Sequence, residues 1–158
     1  MTDIKIKEEE PIFPISVAAR LLNISVHTLR MYEREGLLIA YKKNSHRRLF
    51  SKGDIKRIEC LRNSINKLKI SINGIKAIYS LIPCWEIIKC NAEDRKNCPA
   101  FNGLNKPCWS YDHICASNKE SDQHARKQNC RNCDVYKKYS DCSDIKELIK
   151  SNLDLSLK

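Results

Sequence analysis

The chain has 158 residues, 42% of them hydrophobic, with a net charge of +10 and nine cysteines. That apolar content excludes a disordered chain, and no run approaches the roughly 18 apolar residues of a membrane span. The first ten residues are polar and acidic with no apolar leader core, so the expected compartment is the cytoplasm, where nine cysteines argue for metal or redox chemistry over structural disulfides.

The positive charge is unevenly spread. Residues 11–82 carry 14 Lys and Arg against 4 Asp and Glu, whereas residues 83–143 carry 10 against 8. A basic region of domain size attracts polyanions, of which nucleic acid is the commonest soluble one, although a solvated basic face would look the same.

In chain order, Ser16 is placed to cap a helix over residues 17–22, and Asn23-Ile24 makes a short turn. Ser25 caps a second helix from residue 26 to about 35, which Gly36 ends. Two short helices on so tight a turn predict a helix-turn-helix. Residues 37–50 gather Lys42, Lys43, His46, Arg47 and Arg48 around Asn44-Ser45, the pattern of a basic hairpin wing. Ser51 with Asp54 three residues on is a variant of the capping box. It opens a helix with the apolar stripe Ile55, Ile58, Leu61, Ile65 and Leu68. Ser71 starts another helix, carrying Ile72, Ile75, Ile78 and Leu81-Ile82, and Pro83 stops it. From Cys84 to Cys142 periodicity disappears; a segment so poor in aliphatic residues needs a metal, a cluster or disulfides as a staple. Ile145, Leu148 and Ile149 predict a short terminal helix and a tail.

Three strings carry a resemblance: Pro14-Ile15-Ser16-Val17-Ala18-Ala19; Ile24-Ser25-Val26-His27-Thr28-Leu29-Arg30-Met31-Tyr32-Glu33-Arg34-Glu35-Gly36-Leu37-Leu38; and Arg47-Arg48-Leu49-Phe50-Ser51 with Asp54-Ile55. Over about residues 12–82 the sequence resembles the MerR family of transcription regulators. The resemblance implies a winged helix-turn-helix, double-stranded operator DNA as partner, a homodimer, and RNA polymerase as a further partner. It also implies DNA-backbone contacts from Arg30, Tyr32, Lys43, Arg47 and Arg48. The residue chemistry agrees: a recognition helix needs polar groups on one face, which His27, Thr28 and Arg30 supply, and Lys42 adds charge to the wing. The alternative for Tyr32 is pure core packing, and for Lys42 and Lys43 a solvated loop. Many family members have Tyr before the wing Arg. The Arg47-Arg48 pair here is more similar to the heat-shock-repressor and nitrogen-regulator branches, which leaves activation and simple repression both open.

The cysteines run Cys84, Cys90, Cys98, Cys108, Cys115, Cys130 and Cys133, with Cys84-Trp85 repeated as Cys108-Trp109. The layout resembles the small two-CW cysteine-rich modules of prokaryotic sensory proteins. Thiolates are soft ligands that select zinc, copper(I) or iron–sulfur clusters. With a single C-x2-C pair, Cys98-Pro99, and Trp85, Phe101, Trp109 and Tyr111 as a hydrophobic shell, the expected cofactor is an iron–sulfur cluster of the [4Fe–4S] kind. Zinc is the alternative and a thiol–disulfide switch the third reading. His113 and His124 could substitute as ligands. Cys142 lies outside the pattern, and Cys60 reads as a small buried hydrophobe.

The expected fold is mainly α. It comprises a disordered tail (1–11), a winged helix-turn-helix domain (12–82), a small cysteine-rich, metal- or cluster-stapled sensor domain with little regular structure (83–143), and a short helix and tail (144–158). The expected function is a sequence-specific DNA-binding transcription regulator that senses redox or metal status. A regulator with a purely structural zinc knot is the alternative. A redox enzyme or electron carrier is disfavoured: no Gly-rich phosphate loop, Ser-His-Asp set, paired carboxylates or C-x3-C-x2-C motif stands out, so no enzyme is expected.

Overall fold

The computed structural model describes residues 5–139 and 141–156, and it is mainly helical. Strand β1 (Phe13–Pro14) leads directly into α1 (Ile15–Leu22). The predicted cap was Ser16, but Pro14 occupies that position with φ −57° and ψ 155°. Proline's fixed φ suits a strand-to-helix junction, so Ser16 falls inside the first turn. Asn23 closes α1 in the left-handed region at φ 52°, and its amide and that of Ile24 bond back to Arg20 and Ala19. Asn tolerates that conformation, which makes the turn to α2 (Val26–Arg34) so short. Ser25 caps α2 by accepting the Thr28 amide at 3.0 Å.

The wing is β2 (Tyr41–Lys42) and β3 (Arg48–Phe50), antiparallel with Tyr41 opposite Leu49, and β1 pairs on the other side of β3. Ser51 and Asp54 form the full capping box of α3 (Lys52–Asn66). Leu68 does not extend its apolar stripe: the helix has ended, and Leu68 is 68% exposed. Helix α4 (Ile72–Ser80) follows, capped by Ser71. In the expected free tail Glu8 and Glu9 lie against the start of α3, where the Glu8 carbonyl accepts the Gly53 amide and its carboxylate pairs with Lys56. Residues 1–4 of that tail fall outside the described residues.

The second half consists of the short helices α5 (Cys84–Ile87), α6 (Ala92–Lys96), α7 (Pro99–Asn102), a 3-10 turn (Cys108–Ser110), α8 (Gln123–Asn132) and α9 (Asp134–Lys138), followed by the 15-residue α10 (Cys142–Ser156). Its few large apolar side chains do not form a core of their own. Trp109, Val135, Tyr136, Tyr139 and Leu148 are buried in one cluster with Leu29, Leu37, Phe50, Ile58 and Tyr79 of the first half. Cys60 is buried as expected, yet it is joined by a disulfide to Cys142 at the start of α10, with Cα atoms 5.5 Å apart. Among the described residues, no helix is long and apolar enough to cross a membrane.

Candidate nucleic-acid interface and cysteine cavity

Side chains at i, i+3 and i+7 of a helix share a face. On α2 that face holds His27, Arg30 and Arg34, all exposed. Thr28 is half-buried and its hydroxyl lies 2.9 Å from Ser25 Oγ, so it belongs partly to the cap. Tyr32 points the other way and is buried, and burial raises its phenol above the ordinary value. Sequence reasoning grouped five wing cations, His46 among them, but the structure separates them. Lys43 and Arg47 are exposed at the wing tip. Lys42 and Arg48 both pair with Glu33 of α2, Lys42 at 3.0 Å. Glu33 thereby ties the wing to the recognition helix and neutralises part of its charge.

The second half grips the stem that joins the recognition helix to the wing. Trp109 Nε1 donates to the Gly36 carbonyl at 2.8 Å, and the Ser110 hydroxyl reaches the same oxygen at 3.3 Å. Gly36 has φ +74°, and a Cβ there would crowd the Ser110 side chain, so the position favours glycine. The Ile39 amide donates to the Tyr136 hydroxyl at 2.8 Å, and Arg131 donates to the Ile39 carbonyl at 2.6 Å. Gln128 accepts the Lys42 amide at 3.3 Å and donates to the Ala40 carbonyl at 3.2 Å, covering the open edge of β2.

Arg131 also makes a bidentate pair with Asp54, at 2.8 and 2.6 Å, with both side chains buried. Asp54 therefore caps α3 and anchors α8 at once. Beside it Arg57 stacks on the Tyr136 ring, 3.8 Å from its centroid, and donates to the Tyr136 carbonyl. Sequence reasoning missed this set because nothing in a residue's type reveals a partner some 80 positions away. The position of Arg131 inside the C-x2-C pair was the one available hint.

All seven nominated cysteines line one cavity of about 810 Å³: Cys84, Cys90, Cys98, Cys108, Cys115, Cys130 and Cys133. The local reason is repeated. Pro83-Cys84-Trp85 and Pro107-Cys108-Trp109 each place the cysteine first in a short helical turn with proline as cap, and Cys98 caps α7 ahead of Pro99. The repeat is not symmetric in burial: Trp109 enters the core, whereas Trp85 stays half-buried against Phe101 at 4.9 Å between ring centroids. Phe101 and Tyr111 also line the cavity, as the expected shell.

Cys108 donates to Cys84, which raises the Cys108 thiol well above its usual value and lowers that of Cys84. Burial raises Cys130 and pushes Cys115 the same way, but hydrogen bonds with His113 and Ser117 outweigh it and bring Cys115 down to about 7. His113 Nε2 also lies 3.7 Å from Cys98, while its Nδ1 is buried without a partner. As placed, no three His, Cys, Asp or Glu side chains among the described residues converge on a single ion position. His124 does not line the cysteine cavity: its ring meets that of His46 at the wing, 6.0 Å between centroids.

Residues 13–81 match the family model described as MerR HTH family regulatory protein, so the winged half is a MerR-type helix-turn-helix domain. The heat shock protein HspR of Streptomyces coelicolor is 32% identical over 77 residues, which are 49% of this chain and 51% of that protein. The chain thus spans about half the length of the curated relative it matches. No solved structure matches.

Proposed function

We propose that this chain is a DNA-binding transcription regulator whose cysteine cavity holds a thiolate-ligated cofactor and reports its state to the wing. The observation that carries the reading is a MerR-type winged domain exposing His27, Arg30, Arg34, Lys43 and Arg47 along one recognition helix and its wing tip. These side chains suit phosphate contact and major-groove reading. The reading takes the protein as a cytoplasmic homodimer with RNA polymerase as a further partner, and gives it no enzymatic role.

The cavity suits the group in its donor set: seven soft thiols, a histidine with an orphaned ring nitrogen, and an aromatic wall. An iron–sulfur cluster is the first assignment and zinc the second. Cys108, Cys130 and Cys133 are its key ligands, because Trp109, Arg131 and Tyr136, which hold the stem of the wing, follow them in sequence by one to three residues. The group would supply a redox- or metal-dependent constraint there, and the residues around it hold the wing. A structural zinc knot is favoured instead by the burial of Trp109 and Tyr136 in the shared core, which the fold needs in any state.

Two measurements test this. Protein purified without air should be brown with iron and sulfide bound; a colourless, zinc-loaded protein would mean the knot. Duplex binding, followed by fluorescence anisotropy, should fall steeply with salt, and Arg47→Ala should lower the slope of log K against log salt by about one. Affinity that hardly changes with salt would remove the DNA reading.

A further inference from the structure

Helix α8 belongs to the cysteine half but lies beside the wing and the cleft that Arg30 and Arg34 of α2 line. It runs beside β2, which Gln128 holds by the backbone. Its start reaches the wing tip, where His124 meets His46. Between α8, the recognition helix and the wing lies an open cleft of about 480 Å³. Arg30 and Arg34 enter it from α2, Lys42 and Arg48 from the wing, and His124 and Lys127 from α8. Among the described residues its one acid is Glu33, already shared by Lys42 and Arg48. Five Lys and Arg therefore face a single carboxylate across open space. Such an uncompensated concave field concentrates anions.

The exposed face of α2, Arg30 and Arg34, is continuous with this cleft. Resting on the reading above, a duplex seated on that face and on Lys43 and Arg47 would pass beside the start of α8. We propose that α8 is a third DNA-contacting element, with His124 and Lys127 meeting a backbone phosphate that Arg30 approaches from the other side. Lys127 is already oriented by donating to the Trp109 carbonyl at 2.6 Å, which leaves its other two N–H groups for an anion. Asp122, at the start of α8, accepts the Ala125 amide as cap, so its carboxylate is engaged. Helix α8 also carries Cys130 into the cysteine cavity, so one rigid element would touch both the cofactor site and the DNA.

The test uses the full chain and a short fluorescein-labelled random-sequence duplex, titrated across a salt series. The variants are His124→Glu, His124→Lys and Lys127→Gln, the last of which keeps a donor for Trp109. Arg30→Glu reports on the recognition helix separately. Losing one phosphate contact should weaken binding roughly five- to tenfold near 0.1 M salt and lower the log–log slope by about one. His124→Glu and Lys127→Gln should both do this, while His124→Lys binds at least as well as the parent, an outcome that a merely structural role for His124 would not give. Parent-like affinity and slope in His124→Glu and Lys127→Gln, with Arg30→Glu abolishing binding, would overturn the role of α8 and leave the recognition helix standing. A parent protein that binds no duplex would overturn both.

Discussion

The two halves of this chain reach order by different routes. In residues 13–81 local signals agree with one another: Ser25, Ser51 and Ser71 cap their helices, Asn23 turns the chain, and the apolar stripes lie inward. In residues 84–139 the local signals are weaker, and the large apolar side chains are ordered by long-range contacts onto the first half. The difference teaches that the cysteine half is not an appendage on a linker. Trp109, Gln128, Arg131 and Tyr136 hold the segment from Gly36 to Lys42, the stretch that sets the wing against the recognition helix.

The sharpest way to break that comparison is at the buried pair. Arg131→Met leaves Asp54 buried without its partner, and breaking such a pair costs about 3–5 kcal/mol. Urea unfolding should show that loss, with both halves unfolding earlier. A winged half that kept its parent midpoint would mean the halves are independent. Next come the two tryptophans. Trp109→Ala should cost about 3–5 kcal/mol as a buried aromatic deletion, whereas half-buried Trp85→Ala should cost clearly less by the same assay. Equal costs would show that the repeat is symmetric in energy despite its asymmetry in burial. Gly36→Ala is smaller. Its left-handed φ costs about 1–2 kcal/mol in an L-residue, and the crowding against Ser110 adds to that, so thermal unfolding should shift downward.

Legibility in the sequence followed the same divide. The helix-turn-helix, the wing and the Ser51–Asp54 box are set by residues within a few positions of each other, and they could be read directly. The seven cysteines were nominated as ligands from their spacing and the softness of thiolates, and only the fold shows them lining one cavity. What could not be read was partnership at a distance. Tyr32 counted as a DNA contact through the family resemblance, and only the fold shows it buried. Lys42 and Arg48 counted as free cations, and only the fold shows Glu33 between them. Cys60 read as a hydrophobe because its partner, Cys142, lies 82 residues away.

The central claim is that side chains of the cysteine half hold the stem of the wing. Hydrogen exchange at single amides tests it most directly, because the Ile39 amide donates to the Tyr136 hydroxyl and the Lys42 amide to Gln128. In Tyr136→Phe and Gln128→Ala these two amides should exchange faster than in the parent, while the Leu29 amide, bonded to the Ser25 carbonyl at 3.3 Å within the recognition helix, keeps its protection. Unchanged exchange at Ile39 and Lys42 in both variants, with the fold intact, would contradict the account and make the wing independent of the cysteine half.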